Sequence, residues 1–297
     1  MRIVDSQQSP HQQVQKLHKR TKALKLVAVI VVIILALFII LGRAPSESNE
    51  LSPAPTATSD TNVVTTEDLP VTVDPPVVEP VQKTLRIFTD NEFKVFYDQL
   101  LQPDLVRVAN PPEISGDVLA DTRIRSIAEA RGYKLRSSPS VELVSVDGYL
   151  LHESVAQPWF ELKAAAAAQG YSMSIVSGYR SVASQRQIYL SRLAATGATI
   201  AQVAAGAADA QVNEVLITSS IPGYSKHHTG YTIDLACNGF VFESFKDSPC
   251  NAWLIADNYK VAKEHGFIPS YPEGADNQGP DPEAWEYVYV STELLYE

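Results

Sequence analysis

Two adjacent histidines and an aspartate stand close together in the stretch PGYSKHHTGYTIDLA, residues 222–236. Imidazole and carboxylate groups suit a zinc ion, which takes N and O ligands and tolerates irregular loops. From Tyr231 to Ala236 the residues alternate as a strand does. Tyr231, Ile233 and Leu235 then share one face, and Thr232, Asp234 and Ala236 the other. Asp234 thus points away from the large apolar set, among small neighbours, where a ligand can reach it. His227 precedes Gly230 in a loop able to fold back toward that strand. His228 is expected to face away, as a supporting or surface residue. A structural His–Asp pair satisfies the same pattern, so these residues alone leave both readings open. No G-x-S-x-G, S-x-x-K or paired Cys–His arrangement offers a covalent mechanism instead.

Four blocks occur in order: SGYRSVASQRQIY, PGYSKHHTGYTIDL, NYKVAKEHGFIPSYP and EAWEYVYV. Together they resemble the VanY-type D-alanyl-D-alanine carboxypeptidases, zinc peptidases of bacterial cell walls with the hedgehog/DD-peptidase fold. The resemblance spans roughly residues 150–290. It implies that His227 and Asp234, in the S-x-H-x-x-G-x-A-x-D block, are zinc ligands, although Thr232 stands where the family usually has alanine. It implies that Arg180 neutralises or polarises substrate oxygens and that Gln185 and Ser225 lie near the substrate's peptide and terminal carboxylate. The substrates implied are peptidoglycan stem peptides, cut at a D,D or an L,D bond.

The final block departs from the family's E-x-W-H. Glu283 keeps the place of the general base, but the third ligand position holds Glu286 instead of histidine. Neither His152 nor His265 lies in a block that supplies a ligand. Glutamate can ligate zinc, yet a His–Asp–Glu set cancels the ion's charge and should acidify its water less. The same carboxylates should raise the pKa of Glu283 in the metal-free protein. Two functions follow: a zinc carboxypeptidase, or a pseudoenzyme that binds stem peptides without efficient hydrolysis. The alternation in WEYVYV favours Glu286 as the ligand. It turns Glu286 inward with Val288 and Val290, and Trp285, Tyr287 and Tyr289 to the other side. Glu283 is expected just before the strand, after Pro282.

The elements that must position these groups are readable in outline. TLRIF (84–88) reads as a strand, and residues 90–102 as a helix with an acidic start. A second helix ends near Gly132, and Asp147-Gly148 marks a hairpin. PWFELKAAAAAQGY reads as a helix with Pro158 near its start, followed by the strand SMSIVSG. A helix carrying Arg180, Gln185 and Arg186 comes next, then a helical segment near 199–209, and one more helix in NAWLIADNYKVAKEHG. Helices and short strands mix without a βαβ rhythm, which predicts an α+β class.

The chain has 297 residues, and its first third reads differently. Residues 1–25 form a basic tail with Lys16, Lys19, Arg20, Lys22 and Lys25, and 26–42 an apolar run suited to a transmembrane anchor. This charge asymmetry places the N-terminus in the cytoplasm and the remainder outside the cell membrane. Residues 43–82, rich in Pro, Thr and Ser, read as an extended linker. They lead to an extension at 83–117 and a zinc carboxypeptidase-like domain at 118–297. A net charge of −10 argues against nucleic acid as a partner. Cys237 and Cys250 are the only cysteines, and outside the membrane a disulfide between them is the expectation.

Overall fold

The first described segment pairs with the last. Thr84 and Glu297 exchange backbone hydrogen bonds, and Leu85 bridges Tyr296. The computed structural model describes residues 83–297; the tail, the anchor and the linker expected at 1–82 lie outside the described residues. Among the described residues no helix is long and apolar enough to cross a membrane.

In chain order the elements are α1 (Asp90–Gln99), β1 (Leu105–Val106), α2 (Val118–Ala130) and β2 (Ser138–Pro139). The hairpin β3 (Val144–Val146) and β4 (Tyr149–Leu151) follows, then α3 (Glu153–Ala168) and β5 (Met173–Ser177). Next come α4 (Val182–Ala195), α5 (Ile200–Ala204), α6 (Asp209–Leu216) and a 3₁₀ turn at Lys226–Thr229. The chain continues through β6 (Thr232–Cys237), β7 (Phe240–Val241), α7 (Pro249–Glu264), β8 (Phe267–Tyr271) and β9 (Glu283–Tyr289). The class is α+β. One antiparallel sheet runs in the order β5-β6-β9-β8, with the short β7 also paired to β6.

Two apolar clusters build the interior. The larger lies against the sheet and unites Trp159 and Leu162 of α3, Ile233 and Leu235 of β6, Phe267 of β8 and Val288 of β9. Phe88, Phe93 and Tyr97 join it, so the 83–117 extension is packed into the same core. The smaller cluster is helical: Ile124 and Ala128 of α2, Tyr189 and Leu193 of α4, Val212 and Leu216 of α6. A cavity opens where the helical cluster meets the sheet, lined by Ile188 and Arg192 of α4 and by Asp234 and Glu286 of the sheet.

Local chemistry explains most helix starts. Thr89 and Glu92 form a reciprocal capping box at α1, Asp117 accepts from Leu119 and Ala120 at α2, and Ser181 accepts from Ser184 at α4. Three expectations need correction. TLRIF forms only the single bridge at Leu85, because no second strand lies beside its other residues. The third helix begins before Pro158, capped by the His152 imidazole. Pro158 therefore sits inside it and forgoes the bond to the Ser154 carbonyl. Burial of Val155, Trp159 and Leu162 along the inner face holds the helix across that gap. Finally, α7 is broken at Ala256–Tyr259, where Asp257, Asn258 and Tyr259 adopt positive φ. The Asn258 amide is bonded at that break to both backbone groups of Phe88, which ties α7 to the extension.

Cys237 at the end of β6 and Cys250 in α7 are joined by a disulfide, with Cα atoms 6.3 Å apart and a sequence separation of 13. Closing a loop of that length should stabilise the fold by about 3 kcal/mol, mainly by restricting the unfolded chain. Cys250→Ser should lower the denaturant-derived unfolding free energy by that order. Thiol labelling of unreduced, denatured protein should find no free cysteine; two labelled thiols would show that the bridge does not form.

Candidate metal centre and active site

β6 is central in the sheet and buried along its whole length. Its partner β9 is registered so that Asp234 lies directly opposite Glu286. The sheet thus brings two carboxylates together at short range, an arrangement that needs a cation or a proton between them. His227 supplies the third corner from the 3₁₀ turn. Ser225 caps that turn by accepting from the His227 N–H at 3.3 Å. Gly230 ends it at φ +78°, where a Cβ would meet Leu143 Cδ2 at 2.9 Å, so only glycine closes this turn without strain.

His227 Nε2 lies 3.4 Å from Asp234 Oδ1 and 3.3 Å from Glu286 Oε2. One ligand atom from each of the three residues lies within 4.8 Å of the others. All three side chains are nearly inaccessible to solvent. A tetrahedral ion held at about 2.0–2.1 Å separates its ligands by about 3.3–3.4 Å, which is the spacing seen along these two edges. His227 Nδ1 donates to the Gly178 carbonyl at 2.7 Å. A carbonyl only accepts, so Nδ1 carries the proton and Nε2 is the atom turned to the carboxylates; metal-binding histidines are oriented in this way. Asp234 Oδ1 is buried with no hydrogen-bond partner. It faces His227 Nε2 at 3.4 Å, and an oxygen so placed, turned into the triangle, fits a cation.

The electrostatics agree with the geometry. Burial alone would lower the His227 pKa, but the facing Asp234 and Glu286 outweigh it and hold it at about 9. Burial would raise Glu286, yet His227, Ser270 and Lys226 bring it down to about 2. Glu283 is pushed well above the usual carboxylate range, first by burial and then by Glu286 and Asp234, with Arg180 opposing.

These residues face a cavity of about 440 Å³, lined among others by Arg180, Ser225, Tyr271, Glu283 and Trp285. Glu283 is the first residue of β9, not the residue before the strand as expected. Three positions separate Glu283 from Glu286, so a regular strand would put them on opposite faces. The register corrects this. Pro269 pairs with Tyr287 but Tyr271 with Glu283, so β9 carries extra residues between these pairs. Such a bulge re-aims side chains, and both glutamates reach the cavity. It also defeats the alternation expected for WEYVYV: Trp285 lines the cavity beside Glu286, and Tyr287 is as buried as Val288.

Arg180 is held on three sides. Its guanidinium donates to Gln185 Oε1 and to Ser177 Oγ, each at 3.0 Å, and lies 3.9 Å from Asp234 Oδ2. Its backbone N–H donates to the His227 carbonyl. Gln185, expected near the substrate's peptide, lies behind Arg180. It is 1% exposed, and its amide nitrogen donates to the Ser220 carbonyl at 2.6 Å. It therefore orients Arg180 from behind. His228 is no surface residue. Buried, it receives the Gly223 N–H at Nε2 and donates from Nδ1 to the Arg180 carbonyl. Burial lowers its pKa to about 4, so it is a neutral strut between the two site loops. His152 and His265 stand apart, one capping α3 and the other bonded to the Val261 carbonyl.

Sequence reasoning passed over Ser177, Lys226 and Ser270. Lys226 is 3% exposed and donates to the Ser270 carbonyl, while Ser270 Oγ donates to Glu286 Oε1 at 2.5 Å. The only signal was a lysine beside the paired histidines, and a lysine in a loop ordinarily reads as solvated.

The buried His–Asp–Glu triangle is a group that could hold a metal ion, and it shares its cavity with the Glu283 carboxyl and the fixed Arg180 guanidinium. Residues 148–292 match the family model described as VanY: D-alanyl-D-alanine carboxypeptidase. Over these residues the chain is similar to the VanY-type family. It is 30% identical over 130 residues to YodJ of Bacillus subtilis, covering 42% of this chain and 41% of that one. It is 31% identical over 133 residues to a D-alanyl-D-alanine carboxypeptidase of Enterococcus faecalis, covering 43% and 44%. The chain thus spans less than half the length of these curated relatives. Among solved structures, a mutant of the vancomycin-resistance D,D-pentapeptidase VanY in complex with Zn(II) aligns with a TM-score of 0.41 at 25% identity, covering 64% of this chain and 88% of that one.

Proposed function

We propose that this chain is a zinc-dependent carboxypeptidase that trims the C-terminal residue from peptidoglycan stem peptides, at a D-alanyl-D-alanine or an L,D bond. One observation carries the reading: the cross-strand register of Asp234 and Glu286 closes on His227 Nε2 at 3.4 and 3.3 Å. A site kept only for binding peptides has no need of a buried His–Asp–Glu triangle, so hydrolysis is favoured over the pseudoenzyme.

His227, Asp234 and Glu286 would hold the ion. Bound there, zinc supplies Lewis acidity that activates water and polarises the scissile carbonyl. Glu283, on the same cavity wall, takes the proton of the attacking water and passes it to the leaving amine; its raised pKa suits both halves of that task. Arg180, clamped by Ser177 and Gln185, presents a fixed positive charge where the oxyanion develops. Ser225 stands on the cavity wall where the substrate's terminal carboxylate would lie. We also propose that this domain works outside the cell membrane, tethered by residues 26–42. The Cys237–Cys250 disulfide supports an oxidising compartment.

Purified under zinc-replete conditions, the protein should contain one zinc per chain and release D-alanine from pentapeptide or tetrapeptide stems. Substoichiometric metal without D-alanine release would favour the pseudoenzyme.

A further inference from the structure

The third ligand in this chain is a carboxylate, and a carboxylate has two equivalent oxygens and a rotatable stem. Something must decide which oxygen faces His227. Ser270 Oγ donates to Glu286 Oε1 at 2.5 Å, and the other oxygen, Oε2, is the one 3.3 Å from His227 Nε2. Ser270 is 2% exposed. It lies on β8 between Pro269 and Tyr271, opposite the extra residues of the β9 bulge, which include Glu286. The bulge that turns both glutamates into the cavity therefore also sets Glu286 against Ser270.

Ser270 is itself fixed. Its carbonyl accepts from Lys226 Nζ, and that ammonium lies over the rings of Tyr97 at 4.3 Å and Tyr271 at 4.0 Å. Such contacts stabilise a desolvated cation. A buried lysine, whose pKa burial lowers to about 7, is thereby set one serine away from a ligand set that carries two carboxylates. Tyr97 comes from α1, so the 83–117 extension helps build this support.

We propose that Ser270 is a positioning residue that fixes Glu286 as a one-oxygen metal ligand, with Lys226 anchoring Ser270. The inference rests on the zinc reading above and deepens it, since it names what lets a glutamate serve in this position. Outer partners of metal ligands are typically worth about 10- to 100-fold in metal affinity.

The test measures zinc dissociation constants by chelator competition on the full-length chain, for the parent, Ser270→Ala, Glu286→Ala and the double variant. Thermal unfolding of each metal-free form separates lost folding from lost binding. Ser270→Ala should weaken zinc by about 10- to 100-fold with unfolding little changed, yet add less than about threefold on the Glu286→Ala background, where no carboxylate remains to orient. Lys226→Met should weaken zinc less than Ser270→Ala, and again only where Glu286 is present. Equal losses in both backgrounds would mean that Ser270 acts through general structure, and would overturn the proposal. So would zinc binding by Ser270→Ala as tight as that of the parent, which leaves the zinc reading intact. A parent chain that binds no zinc would remove both.

Discussion

Glu283→Gln should lower the release of C-terminal D-alanine by about 10²- to 10⁴-fold while zinc content stays at the parent level. The two glutamates of β9 share one cavity, and the proposed mechanism gives them different roles. Glu286 faces His227 and lies opposite Asp234, and its carboxylate is held low by His227, Ser270 and Lys226 against burial. That is the state of a ligand. Glu283 stands outside the triangle, and burial with the nearby Glu286 and Asp234 raises its pKa well above the usual range. That is the state of a group able to receive and return a proton. Glutamine keeps the shape of Glu283 and removes the basic oxygen, so the chemical step is lost without loss of the metal. Glu286→Gln should instead weaken zinc, and Glu286→His should restore the family's usual ligand set. Metal loss in Glu283→Gln, together with full metal and activity in Glu286→Gln, would show that the roles are exchanged.

Zinc affinity should fall about tenfold for each pH unit below about 9, hence about 100-fold between pH 8 and pH 6. In the metal-free protein His227 holds its proton up to about 9, because Asp234 and Glu286 outweigh burial. A metal needs the Nε2 lone pair, so binding displaces that proton throughout this window. Glu286, with a pKa near 2, does not compete for protons there. Stability of the metal-free protein follows the same linkage. The raised His227 pKa contributes stability that is full below its unfolded value of 6.5 and lost as pH rises through about 9. The depressed Glu286 pKa contributes stability above its unfolded value of 4.5 that is lost as pH falls through about 2. Competition titrations at pH 6, 7 and 8 measure the slope. A flat profile would mean that His227 is already neutral in the metal-free site.

The order of four short blocks, and their resemblance to the VanY-type family, singled out His227, Asp234, Glu283, Glu286 and Arg180, which residue type alone left open. Residue type and order sufficed for the Cys237–Cys250 pairing, since only two cysteines are present, and for the α+β class, since apolar periodicity is a local property. Whether those residues meet was decided by long-range geometry. The register of β6 on β9 sets Asp234 against Glu286, and backbone pairing between distant strands leaves no mark in either strand's own pattern. The bulge in β9 brings Glu283 and Glu286 to one cavity against the period-two rule. Burial on both sides of the loop decided for the supporting one of the two roles open to His228, and set the Gln185 amide against Arg180. Lys226 and Ser270 were invisible for the same reason. A lysine reads as solvated until a tyrosine from α1, far back in the chain, is found lying over it.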